Sequence, residues 1–186
     1  MKTVIIALLC LAVFLFAENP RRPFPQAGEI QMTGSVIRPN RSQADLNQDV
    51  IAKYNAYKVA YLRRTSNGKY YIEASGTDGG RARTISEAHG YGMMIFALMA
   101  GHDPEAKVIF DGMNALRKAQ RSRGNPNLMS WVVTDVNSTG GVFDYSATDG
   151  DLDNAYALLL TLTLFSPQKH NLLKFNNLSV LQFFFG

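Results

Sequence analysis

The stretch Thr84-Ile-Ser-Glu87-Ala-His-Gly-Tyr91-Gly-Met-Met-Ile-Phe96 decides how this chain is read. A short polar segment carrying one acidic residue turns into an apolar run. Thr84 and Glu87 stand three apart, the spacing of a capping box, which predicts a helix starting here. Residues 93–100 are apolar nearly all round, so that helix is predicted to be buried on most sides. A second acidic group, Ala147-Thr-Asp149-Gly-Asp151-Leu-Asp153, opens another predicted helix over 151–165, with Ala155, Leu158, Leu159 and Leu162 inside. Negative charge is best tolerated in such a first turn, where the helix dipole is positive.

Working outward, Gly101 reads as a helix stop. Asp103-Pro104-Glu105 then starts the next helix: Asp caps, Pro takes the first position, and Val108, Phe110, Met113 and Leu116 form the inner stripe as far as Ala119. Toward the N-terminus, Ser42 and Asp45 match a capping box. Leu46, Val50, Tyr54, Tyr57 and Tyr61 recur at spacings of three and four, predicting a helix that ends near Arg64 with packed tyrosines. Asn67-Gly68 makes a turn, and residues 69–73 favour a small strand. The glycine-rich loop 76–80 lacks phosphate-binding spacing. Residues 128–133 fit either an extended or a helical segment. Helix, short turn, helix and long loop recur along the chain, which favours an all-α layered fold.

The chain has 186 residues, 46% of them hydrophobic, with a net charge of +4. That supports one domain with a real core. The densest basic run, Arg117 to Arg123, sits beside a predicted helix end and reads as a solvated terminus rather than a nucleic-acid patch. Lys2 followed by an apolar run over 4–16 and Ala17 reads as a signal peptide (1–17), so the protein is expected to be secreted or periplasmic, without stable membrane insertion once the signal is cleaved. Residues 18–41 form an extended lead-in. Cys10, the sole cysteine, lies in the signal segment. A mature chain without cysteine has no cysteine nucleophile and no cysteine zinc site.

Glu87 supports two compatible readings: a cap that satisfies a backbone N–H, and a general acid. Asp149, Asp151 and Asp153 are either helix-start charges or partners of Glu87 that grip or hydrolyse a sugar. A calcium loop is not expected, because residue 154 is Asn and residue 160 is Leu, where glycine and glutamate are required. His89, His102 and His170 lack ligand spacing, so neither a metal nor another cofactor is expected. Trp131, the single tryptophan, is either core or a platform for a pyranose ring.

Five blocks, taken together, resemble glycoside hydrolase family 8. They are Ile85-Ser-Glu-Ala-His-Gly-Tyr-Gly-Met-Met94, Met99-Ala-Gly-His-Asp-Pro104, Phe110-Asp-Gly112, Asn125-Pro-Asn-Leu-Met-Ser-Trp-Val-Val133, and Ser146-Ala-Thr-Asp-Gly-Asp-Leu-Asp153 with Ala155-Tyr-Ala-Leu-Leu-Leu160. The resemblance implies an (α/α)6 barrel and an inverting, endo-acting hydrolase of β-1,4-linked glucan, chitosan, xylan or mixed-linkage glucan. It makes Glu87 the proton donor, Asp149 the second acidic site residue and Trp131 the stacking platform. It assigns 42–165 to part of the catalytic domain and 166–186 to a divergent tail. Asn154 stands where the family usually has an apolar residue, and Thr161 where it usually has Ala. Residues 154–186 contain no Asp or Glu, so no water-activating base is found there. The expectation is therefore an incomplete barrel with exposed apolar faces. The alternative is a truncated, inactive remnant with at most weak polysaccharide binding.

Overall fold

The computed structural model describes residues 23–25, 40–141 and 143–164. The signal segment, most of the lead-in, the divergent tail and the Leu162 side chain lie outside the described residues. Among the described residues the fold is mostly helical, with four α-helices and two short antiparallel strand pairs.

Helix α1 spans Gln43–Tyr61. Its start is the predicted one: Ser42 Oγ accepts from Asp45 N (3.1 Å) and donates to the Asp45 carboxylate (2.7 Å). Its end falls earlier than the expected Arg64. Leu62–Arg64 becomes strand β1 and pairs with β2, Tyr70–Ile72, in the register Leu62↔Ile72 and Arg64↔Tyr70. The turn at Asn67-Gly68 folds these residues back on each other: Leu62 N still donates to Lys58 O, while the Tyr61 carbonyl accepts from Glu73 N (2.8 Å), just past β2. Of the predicted α1 stripe only Tyr54 is buried, while Val50 and Tyr61 are exposed.

Strand β3 is Thr84–Ile85 and runs directly into helix α2, Ser86–Leu98. The expected Thr84–Glu87 capping box is absent: Ile85 holds the cap position, with no side-chain cap bond. The reason is a long-range pairing. Strand β4, Val132–Val133, lies antiparallel to β3. Arg83 N donates to Val133 O (2.8 Å) and Ser86 N to Trp131 O (2.9 Å), so the sheet satisfies a donor that a cap would otherwise serve. Residues 128–133 are thus not helical: Met129 forms a lone bridge with Arg121, and only Val132–Val133 is strand.

Helix α2 ends in a 3₁₀ turn, Met99–Gly101, and helix α3 follows over Ala106–Ala119. The helix starts later than expected: Glu105 holds the cap position with no side-chain cap bond, and Asp103 sits two residues ahead of it, its Oδ1 accepting from Glu105 N (2.8 Å). The same carboxylate accepts from Lys58 Nζ (2.6 Å) and from the Tyr54 hydroxyl, tying α3 to α1. Burial alone would raise the Asp103 pKa; the bonds from Lys58, Tyr54 and Glu105 N outweigh it and hold the carboxyl below its ordinary range. The inner stripe of α3 is Ala106, Ile109, Phe110, Met113, Leu116 and Arg117, whereas Val108 is exposed. Arg117 is therefore not the solvated terminus expected of it. Burial pushes its guanidinium down to about 10, while the Asp151 carboxylate opposes that shift.

Helix α4 covers Thr148–Leu164, starting three residues before the expected position. It packs chiefly on α2. The core between helices holds Met93, Phe96, Ala97, Ile109, Phe110, Met113, Ala157 and Leu158, closed on one side by Tyr54 and Ile72. A second cluster of Tyr71, Leu116, Met129, Val133 and Val136 seats the strands on α3. The α2–α4 crossing is close: a Cβ on Gly90 would fall 2.6 Å from Asp153 Cβ, and one on Gly150 would fall 2.4 Å from Ser86 Oγ. Two glycines thus let the acidic first turn of α4 touch the first turn of α2.

Candidate active site

Glu87 occupies the first turn of α2, at this crossing. Its Oε1 accepts from Trp131 Nε1 (3.0 Å) and its Oε2 from Ser86 Oγ (3.0 Å). The carboxylate is thus held by two side-chain donors, one from its own helix and one from the segment that enters β4. Trp131 is half-buried, and its ring leans on that of Tyr145 (centroids 5.8 Å apart, tilted 42°). Glu87 and Trp131, 44 positions apart in sequence, are therefore in direct contact.

The three aspartates of α4 have different surroundings. Asp149 is exposed, and its Oδ1 accepts from Gly150 N (2.9 Å), a bond within the first turn. Gly150 itself abuts Ser86 and the Glu87 backbone nitrogen. Asp151 is buried; it accepts from Met129 N (3.3 Å) and from Ser146, and Arg117 lies within electrostatic reach. Burial raises its pKa, and those partners oppose the rise. Asp153, packed against Gly90, is raised first by burial and then by its carboxylate neighbours Asp149 and Glu87. The result is one acidic face shared by the starts of α2 and α4, with Asp151 committed to structural bonds and Asp149 left open. Among the described residues no group of three or more His, Cys, Asp or Glu side chains is placed to hold a metal ion, and no helix is long and apolar enough to cross a membrane.

Sequence reasoning missed Ser86 and Tyr145. Ser86 has no exposed surface, yet its hydroxyl reaches Glu87; its place immediately before the acidic residue was the available signal. Tyr145 carried a weaker one, the aromatic alternation Phe143-Asp-Tyr145 in a loop. Asn154 and Thr161 are both buried. Asn154 Nδ2 donates to Gly150 O (2.8 Å), and Thr161 Oγ1 donates to Leu158 O (2.7 Å). Each side chain thus gives a donor to a carbonyl of α4 itself, while Asn154 Oδ1 is buried without a hydrogen-bond partner among the described residues.

A mostly helical chain thus sets a doubly hydrogen-bonded glutamate and a half-buried aromatic ring beside a second acidic helix start. The chain belongs to glycosyl hydrolases family 8, whose sequence model matches residues 35–177. It is 47% identical over 146 residues to an endoglucanase from Bacillus sp. (strain KSM-330), covering 75% of this chain and 31% of the relative. It is 42% identical over 154 residues to a beta-glucanase from Niallia circulans, covering 82% and 36% respectively. Among solved structures it is similar to the apo Beta-1,3-1,4-glucanase from Paenibacillus sp. X4, with a TM-score of 0.68 and 39% identity over 78% of this chain and 37% of that one. The chain spans about a third of the length of these relatives.

Proposed function

We propose that this chain supplies the acid side of a site that hydrolyses β-1,4-glycosidic bonds in a glucan, with inversion at the anomeric carbon. The observation that carries this reading is Glu87, held by Trp131 and Ser86 at the α2–α4 crossing. In the reaction Glu87 gives its proton to the glycosidic oxygen as the bond to the anomeric carbon breaks. Water attacks that carbon from the opposite face of the ring, losing a proton to a carboxylate base; inversion needs about 6.5–9.5 Å between acid and base to admit it. Asp149, the exposed aspartate of the α4 first turn, is the second carboxylate and grips the sugar at the cleavage point. Trp131 offers its ring face to a pyranose. The four helices belong to an (α/α)6 barrel, and the basic-then-apolar segment 2–16 supports export from the cytoplasm.

The test is reducing-sugar release from carboxymethyl cellulose, lichenan, chitosan and xylan by the chain and by Glu87→Gln. The amide oxygen of Gln still accepts the Trp131 N–H, so the fold and binding are kept while the transferable proton is lost. Hydrolysis should fall by at least about 100-fold. Full activity in Glu87→Gln would remove the residue from the proton-donor role.

A further inference from the structure

Past Trp131, the segment 143–145 has its backbone pinned on both sides. Arg123 N donates to Phe143 O (3.1 Å), Gly124 N to Asp144 O (3.1 Å), and Trp131 N to Tyr145 O (3.3 Å). Ser122 Oγ adds a second bond to Asp144 O (3.0 Å). The Asp144 side chain forms an ion pair with Arg123 (2.9 Å), while the two flanking aromatic rings meet each other at 5.2 Å. Tyr145 then meets Trp131 at 5.8 Å. Three aromatic rings thus form a continuous strip that begins at the indole bonded to Glu87. Tyr145 nevertheless keeps 49% of its surface in solvent. Rings serving only as core would be covered; here an ordered backbone holds an aromatic face open to water, the preorganised condition for stacking on an apolar sugar face.

We propose that Tyr145 and Phe143 extend the surface begun by Trp131 into a binding track for further units of a β-linked glucan chain, leading away from Glu87. The proposal rests on the reading of Glu87 and Trp131 as a glucan site and adds residues that determine how long a chain is held. Neither ring touches the reacting bond, so the effect is on binding length rather than on chemistry.

The experiment titrates the Glu87→Gln protein, which cannot consume its ligand, with cellobiose and with cellohexaose. Calorimetry and the emission of Trp131, the sole tryptophan, report binding. Cellohexaose should bind more tightly than cellobiose. Tyr145→Ala and Phe143→Ala should each weaken cellohexaose roughly threefold to tenfold and cellobiose by less than about twofold, and Tyr145→Phe should restore the hexaose affinity. Circular dichroism checks folding. If Tyr145→Ala does not fold, Tyr145→Leu, which keeps apolar bulk without a ring face, carries the same expectation. Unchanged hexaose affinity in folded Tyr145 and Phe143 variants, with binding lost in Trp131→Ala, overturns the track and leaves the Glu87–Trp131 site standing. Failure of both sugars to bind before any change to the aromatic residues overturns both readings.

Discussion

Acid should destabilise this fold through His89. The imidazole has no exposed surface. Its Nε2 lies 3.0 Å from the Met113 carbonyl, which can only accept, so Nε2 carries the proton. Nδ1 is buried without a hydrogen-bond partner among the described residues. A second proton would have to sit on Nδ1, in an apolar interior near the Arg117 cation. Burial first, and Arg117 to a lesser degree, push the group down to about 4, against the upward pull of the Met113 bond. The unfolded chain takes up this proton near pH 6.5. Between pH 6.5 and about 4 the unfolded state therefore binds a proton that the folded state refuses, and stability falls as pH falls. At about 1.4 kcal/mol per pKa unit the loss approaches ~3 kcal/mol, a large share of the roughly 5–15 kcal/mol that holds a domain together. Urea unfolding at intervals from pH 7 to pH 4 measures it. In His89→Gln the amide N–H can still reach Met113, the titrating group is gone, and the decline should be shallower by that amount. Equal slopes in the two proteins, or an imidazole resonance that titrates near pH 6.5 in the folded state, would refute the reasoning.

Gly90→Ala places a methyl 2.6 Å from Asp153 Cβ and 3.2 Å from Asn154 N, part of a helix backbone that cannot yield alone. Overpacking of about 1–3 kcal/mol should exceed the ~1 kcal/mol gained in helix propensity, so the guanidinium midpoint should drop; a neutral or stabilised variant would show that the crossing is looser than described. Asp103→Asn removes the charge that Lys58 and Tyr54 serve and should cost about 1–3 kcal/mol at pH 7. Because the folded carboxyl is held below its ordinary range, its contribution is present at neutral pH and is lost as pH falls through that depressed value. The gap between the two proteins in urea should accordingly close in strong acid, and a constant gap would count against the charge as its source.

What the sequence made legible depended on how far each feature's cause lay along the chain. Ser42 and Asp103 act on backbone donors within three residues; the Ser42 cap is where the spacing puts it, while Asp103 binds Glu105 N in the turn just before its helix. Thr84 and Glu87 share that spacing, but the N–H of Ser86 is taken by the Trp131 carbonyl, 45 positions away, and no local pattern reveals such a partner. The end of α1 fails for a similar reason, since β1 answers to β2 across a turn. Arg117 sits in a basic run that looks solvated, yet it projects on the same face of α3 as Met113, toward the carboxylate of Asp151 from another helix. Val108 misled because one residue of helical register separates it from Ile109, the side chain that goes inside. In the site, Glu87 and Trp131 were each readable as residue types with a plausible task. Their shared hydrogen bond was not, because it exists only once β3 and β4 have paired.

That pairing gives the site a particular vulnerability. Trp131 holds the start of α2 twice, its carbonyl accepting from Ser86 N and its indole donating to Glu87. The two strands that fix this arrangement are two residues each, joined as Thr84↔Val133 and Ile85↔Val132. In extended chain a shift of a single position turns every side chain to the opposite face. A slip there, whether during folding or through an insertion between Trp131 and Val133, would carry the indole away from the glutamate and turn Val133 out of its cluster on α3, while the separate core between the helices holds no residue of either strand. Such a protein could keep its helices and still lose the Glu87–Trp131 contact, so the candidate site depends on the alignment of two short strands as much as on helix stability.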